Sequence, residues 1–426
     1  MIQFDLHSLT QLTRFELSSR ICAGFGQSNS FTSLLHISDY QRAFLLSNLF
    51  KMKSGYIRIS IVILFCIFIF PSFSCENHPS HTTCAEEEFT FPGFGNVILH
   101  GTLSVPSNYN ASRKVVILVS PPSPIDRNYH GFFKELADSL CRSGIAVLRF
   151  DNRSLIYKNT AHEHDVDMFD QASDVHRAIE AIQNDKRFAN AKIGLLGHSE
   201  GGCSVAIEAS RNKKVSFIIV LSTIGIKGDD LMYAQMTNPI KSLGDSITDQ
   251  FKLIFSETKK HIAIVSNDIN IDSMNSLLRK QMVERSINHA ELMGTNSLEK
   301  HFYYDSLFWL NRHRVAYIQY NPTLYYSNIT CPVLAMCGDA DELIDYESNL
   351  DGIKTIFTSV NKKNYTIKAL KNVDHEYKLR TNSKYDLRFM DRAPNKSDSS
   401  AGNRKPPKYK SSKEMFDIVS AWILRN

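Results

Sequence analysis

The sequence contains no internal repeat, no phosphate-cradling glycine loop and no apolar run near the roughly 20 residues that a comfortable transmembrane helix needs. The Gly93-Phe94-Gly95 stretch is too short to serve as a nucleotide loop. Charge of one sign is also scarce, with 49 Lys and Arg against 44 Asp and Glu and a formal net charge of +5. That balance argues against a nucleic-acid binder, which needs a basic face with interleaved aromatics. Eight cysteines over 426 residues are too sparse for a disulfide scaffold. What the chain does have is bulk. At 43% hydrophobic it can bury one large core and an extra subdomain.

The N-terminal part reads as a targeting segment set inside a longer stretch. Lys51, Lys53 and Arg58 precede the apolar run Ile59 to Phe70, and Pro71, Ser72 and Ser74 follow. A basic start, a short apolar centre and small residues describe a secretory signal peptide over 52–74, with a retained signal-anchor as the alternative. Translation is then expected to start at Met52, leaving residues 1–51 as an extension without structural meaning. The mature N-terminus, residues 75–85, holds Cys75, His78, His81 and Cys84. This spacing resembles a zinc knot; the plainer readings are a flexible tail, a Cys75–Cys84 disulfide or a lipid on Cys75.

From Glu86 onwards the pattern becomes regular. Phe89 to Phe91 and Asn96 to Val105 predict an antiparallel hairpin. Val115 to Val119, Ile145 to Phe150, Ile193 to Leu196 and Phe217 to Leu221 are short apolar strands. Between them, Gly131 to Cys141 has helical spacing, and Met168, Ala172, Val175, Ile179 and Ile182 step as an amphipathic helix. This alternation predicts an α/β fold with a mostly parallel central sheet and helices on both faces. The alternation stops over 226–330, which is polar and helix-leaning, so an inserted helical cap is expected between the core parts 86–225 and 331–426. The sheet resumes at Pro332 to Met336 and ends with Tyr365 to Leu370, and Met415, Ile418, Val419 and Trp422 mark a closing helix. Residues 379–412 read as a polar loop.

The strongest chemical signal is IGLLGHSEGG, residues 193–202. Gly-x-Ser-x-Gly recurs by chance in roughly one chain in ten, so the strand before it and the helix after it carry the weight. A serine at such a strand-to-helix corner is lifted above the sheet edge, and glycines are required because a Cβ on either side would clash. A nucleophilic Ser199 needs a base and an orienter. The loop Cys337-Gly338-Asp339-Ala340-Asp341-Glu342 and the stretch Asn372-Val373-Asp374-His375 both follow predicted strands, which puts them at the edge where Ser199 lies.

These stretches, with Asp126-Arg127, GIAVLRFDNRS and FTFPGFGNVILHGTLSVP, resemble the α/β-hydrolases, most closely bacterial carboxylesterases related to prolyl-oligopeptidase-type serine hydrolases. The resemblance covers Glu86 to the C-terminus and is loose over the cap. It implies Ser199 as nucleophile, His375 as base, Asp341 rather than Asp339 as the acid, and the Glu200 N–H as one oxyanion donor. It implies no cofactor and no metal, a small-molecule ester as partner, no nucleic acid, and membrane contact only through the signal or a lipid anchor. One departure stands out. Relatives carry a glycine-rich turn after the third strand, whereas this chain has Pro121-Pro122-Ser123-Pro124. Proline has no N–H, so Ser123 is the only candidate there for the second oxyanion donor. The expected activity is ester cleavage by an exported enzyme. A peptidase or amidase and a catalytically silent binding protein are the alternatives. The cluster His162-Glu163-His164-Asp165 and the basic run Arg404, Lys405, Lys408 and Lys410 read as solvated loop, not as metal or anion sites.

Overall fold

The computed structural model describes residues 82–110, 113–160, 162, 165–241, 249–289, 297–380 and 411–426. The expectations set on residues 1–81, on Glu163 and His164, and on the run from Arg404 to Lys410 lie outside the described residues. The strands are β1 (Cys84–Pro92), β2 (Ile98–Pro106), β3 (Lys114–Val119), β4 (Ala146–Phe150), β5 (Lys192–His198), β6 (Val215–Leu221), β7 (Val333–Gly338) and β8 (Tyr365–Leu370). They form one open sheet in the order β1-β2-β4-β3-β5-β6-β7-β8. β1 and β2 pair antiparallel, as do β2 and β4; every other pairing is parallel. This is the α/β-hydrolase fold.

The apolar runs fold this way because a central strand must satisfy two faces. Along β3, Val115, Ile117 and Val119 enter one apolar cluster while Val116 and Leu118 enter the other. The first cluster is covered by α2 (Met168–Asn184), α3 (Gly201–Arg211) and α10 (Tyr346–Ser359). The second is covered by α1 (Phe132–Arg142) and α11 (Lys413–Arg425). Between β6 and β7 the chain runs through α4 (Gly228–Lys241), α5 (Asp249–Val265), α6 (Ile271–Asn288), α7 (Leu298–Trp309), α8 (Arg312–Gln319) and the short α9 (Thr323–Tyr326). This insertion has its own small core, built on Met232, Ile262, Val265, Leu278, Trp309 and Ile318. Among the described residues, no helix is long and apolar enough to cross a membrane.

Two findings at the start of the fold depart from the sequence reading. β1 begins at Cys84, well before Phe89. Its first half is Glu86, Glu87 and Glu88, which carry no apolar signal, yet each meets an arginine: Arg149 at 2.9 Å, Arg187 at 3.0 Å and Arg127 at 2.8 Å. Cys84 is bonded to Cys141 of α1, 57 residues away. That pairing rules out both the Cys75–Cys84 disulfide and a metal-ligand role for Cys84. A loop of this length stabilises the fold by about 4 kcal/mol in the chain-entropy account.

Candidate active site

Parallel pairing puts the C-terminal ends of β5, β7 and β8 at one edge, and each delivers one residue of the site. β5 ends at His198, and Ser199 follows with φ of +54°, the left-handed region that a serine occupies only when its surroundings enforce it. The glycines explain how. A Cβ on Gly197 would sit 2.5 Å from the Gly201 carbonyl oxygen, and one on Gly201 would sit 2.6 Å from the Ser120 carbonyl oxygen. The Ser199 N–H donates to the Leu221 carbonyl on β6 at 2.8 Å, which anchors the corner to the sheet.

After β7, Asp341 lies in a turn and is 2% exposed. Its Oδ1 accepts the N–H groups of Leu343 and Ile344 at 2.9 and 2.8 Å. After β8, His375 is 6% exposed and turns its Nδ1 to the same carboxylate, 3.0 Å from Oδ1 and 2.9 Å from Oδ2. Burial pushes the Asp341 carboxyl up, but His375 and the two backbone N–H groups overcome it and hold it below its ordinary range. Burial likewise pushes His375 down, and the Asp341 charge overcomes that, leaving the imidazole above its ordinary value. The pair is therefore poised to carry a proton on the histidine, with Nε2 left for a reacting group. Asp339 takes no part: its carboxylate accepts the Asn372 N–H at 2.6 Å and ties the β7 turn to the β8 turn. Ser199 Oγ makes no hydrogen bond among the described residues, and apo geometry of this kind often tightens only with substrate bound.

His375 is held from behind by a group that sequence reasoning missed. His198 is fully buried; its Nε2 lies 2.7 Å from the His375 carbonyl and its Nδ1 lies 3.1 Å from the Tyr129 hydroxyl. A carbonyl can only accept, so Nε2 carries the hydrogen and Nδ1 accepts from Tyr129. Burial, aided by the His375 charge, pushes the His198 imidazole down to about 3, so it stays neutral. His198 is the variable residue of the Gly-x-Ser pattern, and no sequence signal marks it as a partner of a residue 177 positions later.

The oxyanion side is different. α3 begins at Gly201, so the Glu200 N–H lies at the open helix end and has no backbone acceptor among the described residues. The expected second donor fails. Ser123 N–H turns back to the Pro121 carbonyl at 2.8 Å, closing a three-residue turn whose other two residues are prolines, and Pro124 follows it. The turn is pinned from outside by Asn152 Nδ2 on the Pro121 carbonyl at 2.9 Å and Gln171 Nε2 on the Ser120 carbonyl at 2.8 Å. The motif residues Arg127 and Asp151 are structural too, joined by Nη2–Oδ2 at 2.6 Å and Nε–Oδ1 at 3.1 Å. His162 and Asp165 bond each other at 2.6 Å on the exposed surface. Among the described residues no group of three or more His, Cys, Asp or Glu side chains is placed to hold a metal ion.

Comparison with known proteins adds a family. No curated protein sequence matches the chain. Distant likeness exists to solved structures, including the Pyrococcus furiosus esterase Pf2001 (15% identity, TM-score 0.46, 80% of this chain and 91% of that one) and Est1E from Butyrivibrio proteoclasticus (14%, 0.42, 79% and 98%). The Pyrococcus horikoshii acylaminoacyl peptidase is similar at 14% identity and TM-score 0.41, over 69% of this chain and 38% of that one. The family described as serine aminopeptidase, S33, matches residues 127–379, which takes in the elbow, the insertion and both later strand ends. On that match, covering more than half of its length, the chain belongs to the serine aminopeptidase S33 family and is a serine hydrolase of the α/β-hydrolase fold.

Proposed function

We propose that the protein cleaves carboxylic esters through an acyl-enzyme formed on Ser199. Ser199 Oγ attacks the carbonyl while His375 Nε2 takes its proton; Asp341 orients the ring and stabilises the imidazolium. The Glu200 N–H receives the developing oxyanion. His375 then returns the proton to the leaving alcohol, and a water activated by the same nitrogen releases the acid. The observation that carries the reading is the buried His375–Asp341 pair, 2.9 Å apart, at the sheet edge where the left-handed Ser199 sits.

Peptide or amide cleavage is the second reading, favoured by the name of the family matched. The spent amide at Ser123 weighs against it, because an amide demands more help at the oxyanion than an activated ester and one missing donor costs on the order of 100-fold. The Cys84–Cys141 disulfide supports export as the setting, since such bonds persist in oxidising compartments. A fluorophosphonate probe should label the purified protein and spare Ser199→Ala, which should lower p-nitrophenyl ester turnover by on the order of 10⁵-fold or more. Labelling that survives in the alanine variant would sink the assignment of Ser199. A folded protein with neither labelling nor turnover would point to the silent binding protein.

A further inference from the structure

The residue that offers the remaining oxyanion amide is also gripped by the helical insertion. Glu200 is 7% exposed, and a carboxylate so buried needs a partner of opposite charge. It finds one in His313 of α8, whose Nε2 lies 3.0 and 2.8 Å from the two carboxylate oxygens. The preceding residue, Arg312, fixes the same helix end to the start of α2: its Nη2 reaches Asp170 at 2.9 Å and its Nε reaches Asp167 at 3.1 Å. Two consecutive side chains thus fasten the insertion to the core, and one of them lands on the residue next to the nucleophile.

We propose that His313 is a positioning residue for the oxyanion hole: by holding the Glu200 carboxylate it fixes the Glu200 N–H in the orientation the reaction needs. The role rests on the Ser199–His375–Asp341 reading. With three prolines and a spent Ser123 amide, the turn across the site offers no second amide to share the task. A small misplacement of this one donor is therefore felt in full, and displacements of about 1 Å at a catalytic group can cost on the order of 100-fold.

The pairing also carries a charge signature. Burial pushes His313 down, as does Arg314 beside it, while Glu200 and Asp167 of the α2 cap pull it up; the net direction is above the ordinary imidazole value. Arg312 offsets part of the Asp167 and Asp170 charge. The ion pair with Glu200 is therefore formed below the raised pKa of His313 and is lost as pH rises through it. His375 acts in the opposite sense, becoming competent as pH rises. Loss of the His313 proton should lower activity as pH rises, an alkaline fall that a variant without the charge does not show.

The test measures kcat, KM and fluorophosphonate labelling rate across pH for wild type, His313→Gln and Glu200→Gln, with melting temperature as the folding control. His313→Gln keeps a donor of similar reach and removes the charge. It should lower kcat about 10- to 100-fold with KM changed less than about threefold, slow labelling by a similar factor, and lose the alkaline fall. Glu200→Gln should lose the same alkaline fall, and decides the matter if His313→Gln melts early. Wild-type kcat and pH profile in both variants overturn the proposal, as does a change confined to KM. A wild type that neither labels nor turns over refutes the triad reading and the role of His313 with it.

Discussion

The two sides of Ser199 are built to different standards. On the His375 side the base is held from both ends: Asp341 takes two backbone N–H groups and the imidazole, and His375 is backed by His198 and Tyr129. On the oxyanion side a turn rich in proline has used its only amide on itself, leaving the Glu200 N–H. The sheet explains the contrast. Parallel strands bring their C-terminal loops to one edge whatever the loops contain, so the meeting of Ser199, His375 and Asp341 at that edge follows from topology. An oxyanion hole depends on where one N–H points, which is a property of a single turn.

Breaking the well-made side should have the largest effect. Asp341→Asn leaves the packing intact but removes the charge that holds the His375 tautomer, and kcat should fall on the order of 10⁴-fold. Its pH dependence sharpens the point. In the wild type kcat/KM should climb through a midpoint above the ordinary imidazole value, because His375 must lose its proton and Asp341 retains it. Without Asp341 burial is opposed only by the weaker pull of Glu342 and Glu376, so the residual activity of the variant should climb at lower pH; an unmoved midpoint would contradict the assignment.

Repairing the poor side is the next largest. Pro122→Gly introduces an N–H and a mobile residue into the turn, and turnover of a p-nitrophenyl ester should rise about tenfold if the hole is short of a donor. A variant that is folded yet no faster would show that the hole is completed elsewhere. The smallest effect on catalysis belongs to the far end of the sheet. Replacing Cys84 and Cys141 together by serine should lower the melting temperature, with a stability loss of about 4 kcal/mol, and leave kcat unchanged.

Much of this molecule was legible in the chain. The strand cores Val115–Val119 and Phe217–Leu221 announce themselves because both faces are buried and the residues are continuously apolar. The glycines around Ser199 are dictated by contacts that any such corner makes. Where the sequence was silent, the information is tertiary. The start of β1 depends on arginines up to 100 residues away, and Cys84 could have paired with any accessible cysteine. Ser123 looked available because composition shows that an amide exists and not where it points. His313 sits in the insertion, whose order of packing no periodicity reveals.

The insertion itself has a thermodynamic side. β6 joins β7 from Ile218 to Val333, closing a loop about five times longer than the one β5 and β6 close between Ile193 and Val215. Loop-closure entropy grows only with the logarithm of length, so the difference amounts to about 1.4 kcal/mol. The sheet is therefore nearly indifferent to how much chain passes between these strands. What the sheet can bear therefore sets hardly any limit on the length of the insertion.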